Sequence, residues 1–261
     1  MKRFFYFLTL LSALMLSTAC FNFNKSERLL QETIKDLKLT VPQDLSDGVT
    51  WTDIKIDEQN MTYVYTSREP VENVEETFAD LDMKKAEIHY GLATQYNGDL
   101  QTLFDALKDT NRGMIYIYKG LRSKKEIAIE TTPEEMQLID WSDLKDLSKK
   151  YLDHIIANIN AGLPEAADEI TVFDSVTRQG DIVSYNYTVY EDSEFSIQDL
   201  LDADPDDVKE ALLPDLSDPE IVEFETLLKN AGCKLRYQYS GNKTGLDYVM
   251  TINPMSHTDV E

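Results

Sequence analysis

Two cysteines and three histidines are all that the 261 residues offer for thiolate or imidazole chemistry. His89, His154 and His257 are far apart, and none belongs to a His-Glu-x-x-His or other paired-ligand spacing, so a transition-metal site is not expected. The ten glycines form no phosphate-cradling loop, dinucleotide fingerprint or Gly-x-Ser-x-Gly elbow. Basic residues are outnumbered 25 to 48, a formal net charge of −23. With no basic stripe to neutralise phosphates, nucleic acid is not expected as a partner, and an anionic membrane surface would repel the folded body. Carboxylates are so numerous that pairs of them say nothing about acid–base catalysis. The expectation is a protein that is not an enzyme and carries no cofactor. Cations, basic proteins or neutral molecules suit its charge as partners, although acidity also serves solubility alone.

What the N-terminus does contain is an export pattern. Lys2 and Arg3 precede an apolar or small-residue run from Phe4 to Leu16, too short to span a bilayer and suited to a cleaved signal peptide. The run ends in Ser17-Thr18-Ala19-Cys20, which looks like a bacterial lipobox, with Ser17 where an aliphatic residue is usual and Leu16 one place earlier. Residues 1–19 are therefore read as signal peptide, Cys20 as the lipid attachment site and 20–26 as a tether. Several acyl chains on one residue would hold the chain stably on a membrane. Cleavage leaves 23 basic against 48 acidic residues, a net charge of −25. The residues behind Cys20, Phe21-Asn22-Phe23-Asn24, lack an acid, which points to the periplasmic face of an outer membrane rather than the cell surface. Cys233 would then be the one remaining thiol, so no intramolecular disulfide forms, and its place at the entry to an apolar strand suits burial.

The chain repeats itself. Residues 39–69 match 161–191, pairing Pro42 with Pro164, Thr50 with Thr171, Asp53 with Asp174, and the word Tyr63-x-Tyr65 with Tyr185-x-Tyr187 after one-residue gaps. Residues 103–120 match 223–241, pairing Phe104 with Phe224, Leu107 with Leu227, and Tyr116-x-Tyr118 with Tyr237-x-Tyr239. The offset stays near 121, so the mature chain is a tandem duplication, with units over 27–136 and 144–258, each long enough to hold a core. Within a unit the periodicity predicts a helix (26 or 27 to 39; 144–160), two strands (49–57 and 61–68; 170–178 and 182–190), a polar, partly helical middle, a second helix (99–110; 219–230) and two final strands (114–119 and 124–131; 234–240 and 246–252). Asp204-Pro205 and Asp218-Pro219 read as helix starts, an acid capping before an N1 proline. The expected fold class is α+β: two repeats, each with about four antiparallel strands packed by two to three helices.

The second unit, with Leu163-Pro164, Thr171, Asp174-Ser175-Val176, Gly180, Tyr185-x-Tyr187 and later Gly232 before another aromatic strand, resembles a group of small, largely uncharacterised bacterial exported domains. The first unit departs from that pattern at Asp53-Ile54-Lys55. The resemblance implies a fold and an exported setting, and it implies no reaction.

Two candidate sites emerge. Asp202, Asp204 and Asp206 alternate as calcium ligands can, yet an EF-hand would want Gly at Asp207 and Glu at Leu213, and helix capping accounts for two of the three acids. The tyrosine words place two rings on one face of a strand. Tyr63, Tyr65, Tyr185 and Tyr187 are thus either an aromatic platform for a glycan or protein partner, or the sheet core beneath the helices. Burial is favoured, because the helices need a sheet face to cover. The acid-rich connection after each second strand then becomes the place to look for function. Three functional readings follow: a membrane-anchored binding or structural module, an acidic inhibitor or immunity-type protein covering a basic enzyme, and a glycan-binding surface lipoprotein.

Overall fold

A computed structural model describes residues 25–45, 48–68, 78, 80–192, 194–212 and 217–254. Cys20 and the signal segment lie outside the described residues. The chain divides into two compact units, Met1–Asp143 and Leu144–Glu261. Each is α+β, built on one five-stranded sheet.

In the first unit, helix α1 (Lys25–Lys38) leads to a two-residue strand β1 (Gln43–Asp44) and the hairpin β2 (Val49–Ile56) and β3 (Asn60–Ser67). Helices α2 (Leu81–Thr94) and α3 (Gly98–Asp109) follow, then strands β4 (Gly113–Gly120) and β5 (Glu126–Thr131), and helix α4 (Pro133–Leu138). The second unit repeats this plan: α5 (Leu144–Asn160), β6 (Glu165–Ala166), β7 (Thr171–Gln179), β8 (Ile182–Val189), α6 (Ile197–Asp202), α7 (Pro205–Leu212), α8 (Pro219–Ala231), β9 (Lys234–Gly241) and β10 (Asp247–Ile252). The strand orders are β1-β2-β3-β4-β5 and β10-β9-β8-β7-β6.

Two features depart from the sequence expectation. Each sheet has a fifth, short edge strand, and each contains one parallel pair, β3 with β4 and β8 with β9. The parallel pairing follows from what lies between those strands. Residues 68–112 and 190–233 hold helices, and a crossover of that length returns the chain in the direction it left, which a tight hairpin cannot do. The hairpins also carry a bulge at the same place, between Trp51 and Asp53 and between Phe173 and Ser175. The pairing of Trp51 with Tyr65 and of Phe173 with Tyr187 makes Asp53 the structural counterpart of Ser175, not of Asp174, so the gaps placed from sequence are unnecessary.

Alternation along the strands puts the apolar set on one face. In the first unit that face carries Val49, Trp51, Ile54, Met61, Tyr63, Tyr65, Met114, Tyr116, Tyr118 and Ile129, all buried. Helix α1 buries Leu30, Thr33 and Ile34. Helix α3, capped by Asn97, whose side chain accepts from the Asp99 and Leu100 amides, buries Leu100, Leu103, Phe104, Ala106 and Leu107. The segment joining the units is ordered into the first: Thr132 and Glu135 form a reciprocal capping box at α4, and buried Trp141 lies 4.5 Å from Phe104 and edge-on to His89.

In the second unit α5 buries Leu147, Ser148, Tyr151, Leu152 and Ile156. It packs against α8, which buries Glu225, Leu227, Leu228 and Ala231 and ends at Gly232 in the left-handed conformation (φ 65°). Asp204 and Asp218 cap α7 and α8 by accepting from the Asp206 and Glu220 amides, as their sequence context predicts. Leu107 and Leu228 are both fully buried. Leu107→Ala is expected to destabilise the first unit, and Leu228→Ala the second, by about 2–5 kcal/mol each in denaturant unfolding.

Candidate functional site

The two units spend the same tyrosine words differently. Parallel register sets Tyr63 beside Tyr116 and Tyr65 beside Tyr118, and likewise Tyr185 beside Tyr237 and Tyr187 beside Tyr239. In all four pairs the rings stack, with centroids 5.1 Å apart in both first-unit pairs and 5.9 and 4.8 Å in the second. Such pairs contribute about 0.5–1.5 kcal/mol each beyond area burial.

In the first unit the row is closed. Its four rings are each 4–5% exposed, and Phe78 packs on Tyr118 at 4.6 Å. Helix α2 lies over β5 and buries Tyr90, Leu92 and Ala93. The Tyr63 and Tyr116 hydroxyls point to the thioethers of Met61 and Met114, each at 3.9 Å. Burial raises the phenol of every ring in this row. Tyr63 and Tyr65, candidates for ligand contact from sequence, are therefore core residues.

In the second unit the row is half-open. Phe173, Tyr185, Tyr187, Tyr237 and Tyr239 are all only half-buried. Phe173 extends the row, 5.4 Å from Tyr185 and 4.8 Å from Tyr187. The counterpart of α2 is the pair α6 and α7. Helix α6 covers β9 and β10, where Ile197 clusters with Val189 and Tyr248, but α7 fully buries no residue and reaches that cluster through half-buried Val208. Met61 and Met114 are replaced at the equivalent register positions by Val183 and Leu235, which offer a hydroxyl no acceptor. Among the described residues none of the four second-unit hydroxyls has a hydrogen-bond partner.

Negative charge is concentrated in the segment that follows β8. From Glu191 to Glu225 the sequence holds fourteen acidic residues and one lysine, against nine acids and two lysines in the matching stretch 69–105. Glu225, on α8, is 3% exposed, and its charge helps raise the Tyr185 and Tyr237 phenols, though burial is the larger cause. Tyr237 is pushed up to about 12, so these phenols stay protonated at any ordinary pH.

One carboxylate organises the border of the row. Glu191, 4% exposed, accepts hydrogen bonds from the amides of Ile197, Lys243 and Thr244 and from the Thr244 hydroxyl, at 2.8–3.0 Å. It thereby ties the start of α6 to the β9–β10 turn. Gly241 permits the approach, since a Cβ there would sit 2.7 Å from the carboxylate. These donors, the Thr244 amide foremost, hold the Glu191 carboxyl at about 2, against an ordinary 4.5.

The other sequence candidates do not converge. Asp202 accepts from Gln198, and Asp204 from the Asp206 amide, so the three acids serve helices. Among the described residues no group of three His, Cys, Asp or Glu side chains is placed to hold a metal ion. Cys233 is 2% exposed, and burial pushes its thiol up, away from reactivity. Sequence reasoning missed Phe173, Glu191 and Glu225. Glu225 was hidden because an acid on an amphipathic helix in so acidic a chain reads as solvent-facing.

No protein-family model and no curated protein matches the chain. Among solved structures it is similar to a protein of Pseudomonas aeruginosa described as a "putative secreted protein", with 21% sequence identity and a TM-score of 0.33, over 42% of this chain and 93% of that one. The resemblance of the second unit to exported bacterial domains thus rests on its motif residues. Among the described residues no helix is long and apolar enough to cross a membrane.

Two outcomes are expected from this geometry. Limited nitration with tetranitromethane should modify Tyr187 and Tyr239 well before Tyr63, Tyr65, Tyr116 or Tyr118, as read by peptide mass spectrometry. Because the folded Glu191 carboxyl lies below its unfolded value, its stabilisation is complete above pH 4.5 and is lost as pH falls towards 2. The melting-temperature difference between wild type and Glu191→Gln should therefore be largest above pH 5 and shrink through that window.

Proposed function

We propose that this is an exported, lipid-anchored protein of the bacterial cell envelope that binds a partner rather than catalysing a reaction. Recognition is assigned to the second unit, and structural support to the first. The observation that carries this reading is the contrast between duplicated ring rows: one roofed by α2 and bonded internally, the other half-open with its hydroxyls unspent. A duplicated core needs no such divergence for stability, since closing the second row would bury more apolar surface. Cys20 supplies the anchor, and the absence of an acid directly behind it favours the periplasmic face of an outer membrane. The acidic inhibitor of a basic enzyme is a second reading of the same surface, supported by the acid excess between Glu191 and Glu225.

Fractionation of cells tests the anchor: wild type should sediment with membranes and Cys20→Ser should not. Protease shaving of intact cells should leave the protein uncut. A photo-cross-linking residue placed at Tyr187 should trap an envelope component, while the same residue at Tyr65 should trap none. Equal trapping at both positions would overturn the assignment to the second unit.

A further inference from the structure

The stacked rings constrain what the open row can recognise. Interplanar angles of 13–27° across Phe173, Tyr185, Tyr187, Tyr237 and Tyr239 mean that the ring faces are turned towards one another. Side chains stand roughly perpendicular to a sheet, so the row presents hydroxyl ends and ring edges to a guest, not ring faces. A sugar-stacking platform needs exposed faces, and this row withholds them. Four phenolic oxygens without partners among the described residues instead offer acceptor lone pairs, along with donor hydrogens free to rotate.

The electrostatic setting selects between guests. Buried Glu225 adds negative potential behind Tyr185 and Tyr237, and the stretch from Glu191 to Glu225 carries fourteen acids and one lysine. Phe195, Leu200 and Val208 from the acid-rich segment pack against the Val189, Ile197 and Tyr248 cluster, and Tyr239 and Met250 pack against the same cluster, which brings that segment to the edge of the row. An anionic guest would be repelled. A guanidinium or ammonium group brings only donors and positive charge, matching acceptor oxygens and an acidic setting at once.

Resting on the reading of the second unit as a partner-binding module, we propose that its open tyrosine row is a recognition site for a cationic, arginine- or lysine-bearing peptide segment of the partner. Side-chain cations of that segment donate hydrogen bonds to the hydroxyls of Tyr185, Tyr187, Tyr237 and Tyr239, and Glu225 and the neighbouring acids supply the attraction. The first unit, which keeps the same rings but closes them, does not bind.

The test uses the full mature chain at 150 mM salt, where diffuse surface attraction is largely screened beyond about 8 Å. The probes are octa-arginine, octa-lysine, octa-glutamate and cellohexaose, followed by calorimetry and by protection from nitration. Expected results are binding of the cationic peptides alone, protection of Tyr187 and Tyr239 by them, and at least about tenfold weaker binding after Tyr187→Phe with Tyr239→Phe. Glu225→Gln, which leaves every ring in place, should weaken binding as well. Tyr63→Phe with Tyr116→Phe should leave affinity unchanged. Cationic-peptide binding that ignores the second-unit substitutions, binding of cellohexaose instead, or no binding of either cation would each overturn the inference. Cross-linking at position 187 separates the two levels: trapping that persists without cationic-peptide binding discards the cationic guest but keeps the binding module, whereas loss of both discards both.

Discussion

The parallel pairing of the second long strand with the third in each unit, β3 with β4 and β8 with β9, is the constraint on which the rest depends. Strands that run the same way cannot be joined by a tight turn, so the chain must leave the sheet and return through helices. That excursion supplies the cover for the sheet's apolar face. It also fixes register, so that two tyrosine words written far apart in sequence come to lie ring against ring. Shifting either strand by one residue would turn all of its rings to the opposite face.

Duplication gave the protein two copies of this device, and divergence in the crossover gave them different fates. In the first copy α2 is a 14-residue helix lying over the sheet. In the second, prolines at 205, 214 and 219 punctuate the same span, and acids occupy most of the positions between Asp202 and Asp207. Short helices with so many charges to keep hydrated cover less of an aromatic floor than one long helix does. The replacement of Met61 and Met114 by Val183 and Leu235 fits the same change, because hydroxyls that face solvent or a guest need no thioether acceptor.

The border of the half-open row is held by hydrogen bonds to one side chain. A single carboxylate, Glu191, satisfies three backbone amides and a hydroxyl, and so secures both α6 and the β9–β10 turn. Amide donors converging on one carboxylate hold a loop in place without closing the neighbouring row. The first unit places Glu69 at the matching sequence position, outside the described residues.

The sequence by itself determined the α+β class, the duplication, the helix starts at Asp204 and Asp218 and the burial of Cys233. All of these follow from local periodicity, capping chemistry and self-similarity, which act over short spans or on direct comparison of residues. It did not disclose the parallel pairing, the edge strands β1 and β6 or the buried place of Glu225, because each depends on which segments meet across long separations. The tyrosines show the division most plainly. Their alternation said that each pair shares a face, and that the face should be covered by helices. Only the tertiary structure decided that one row is closed and the other half-open, because covering depends on the cost to the intervening chain of desolvating its charges against the sheet.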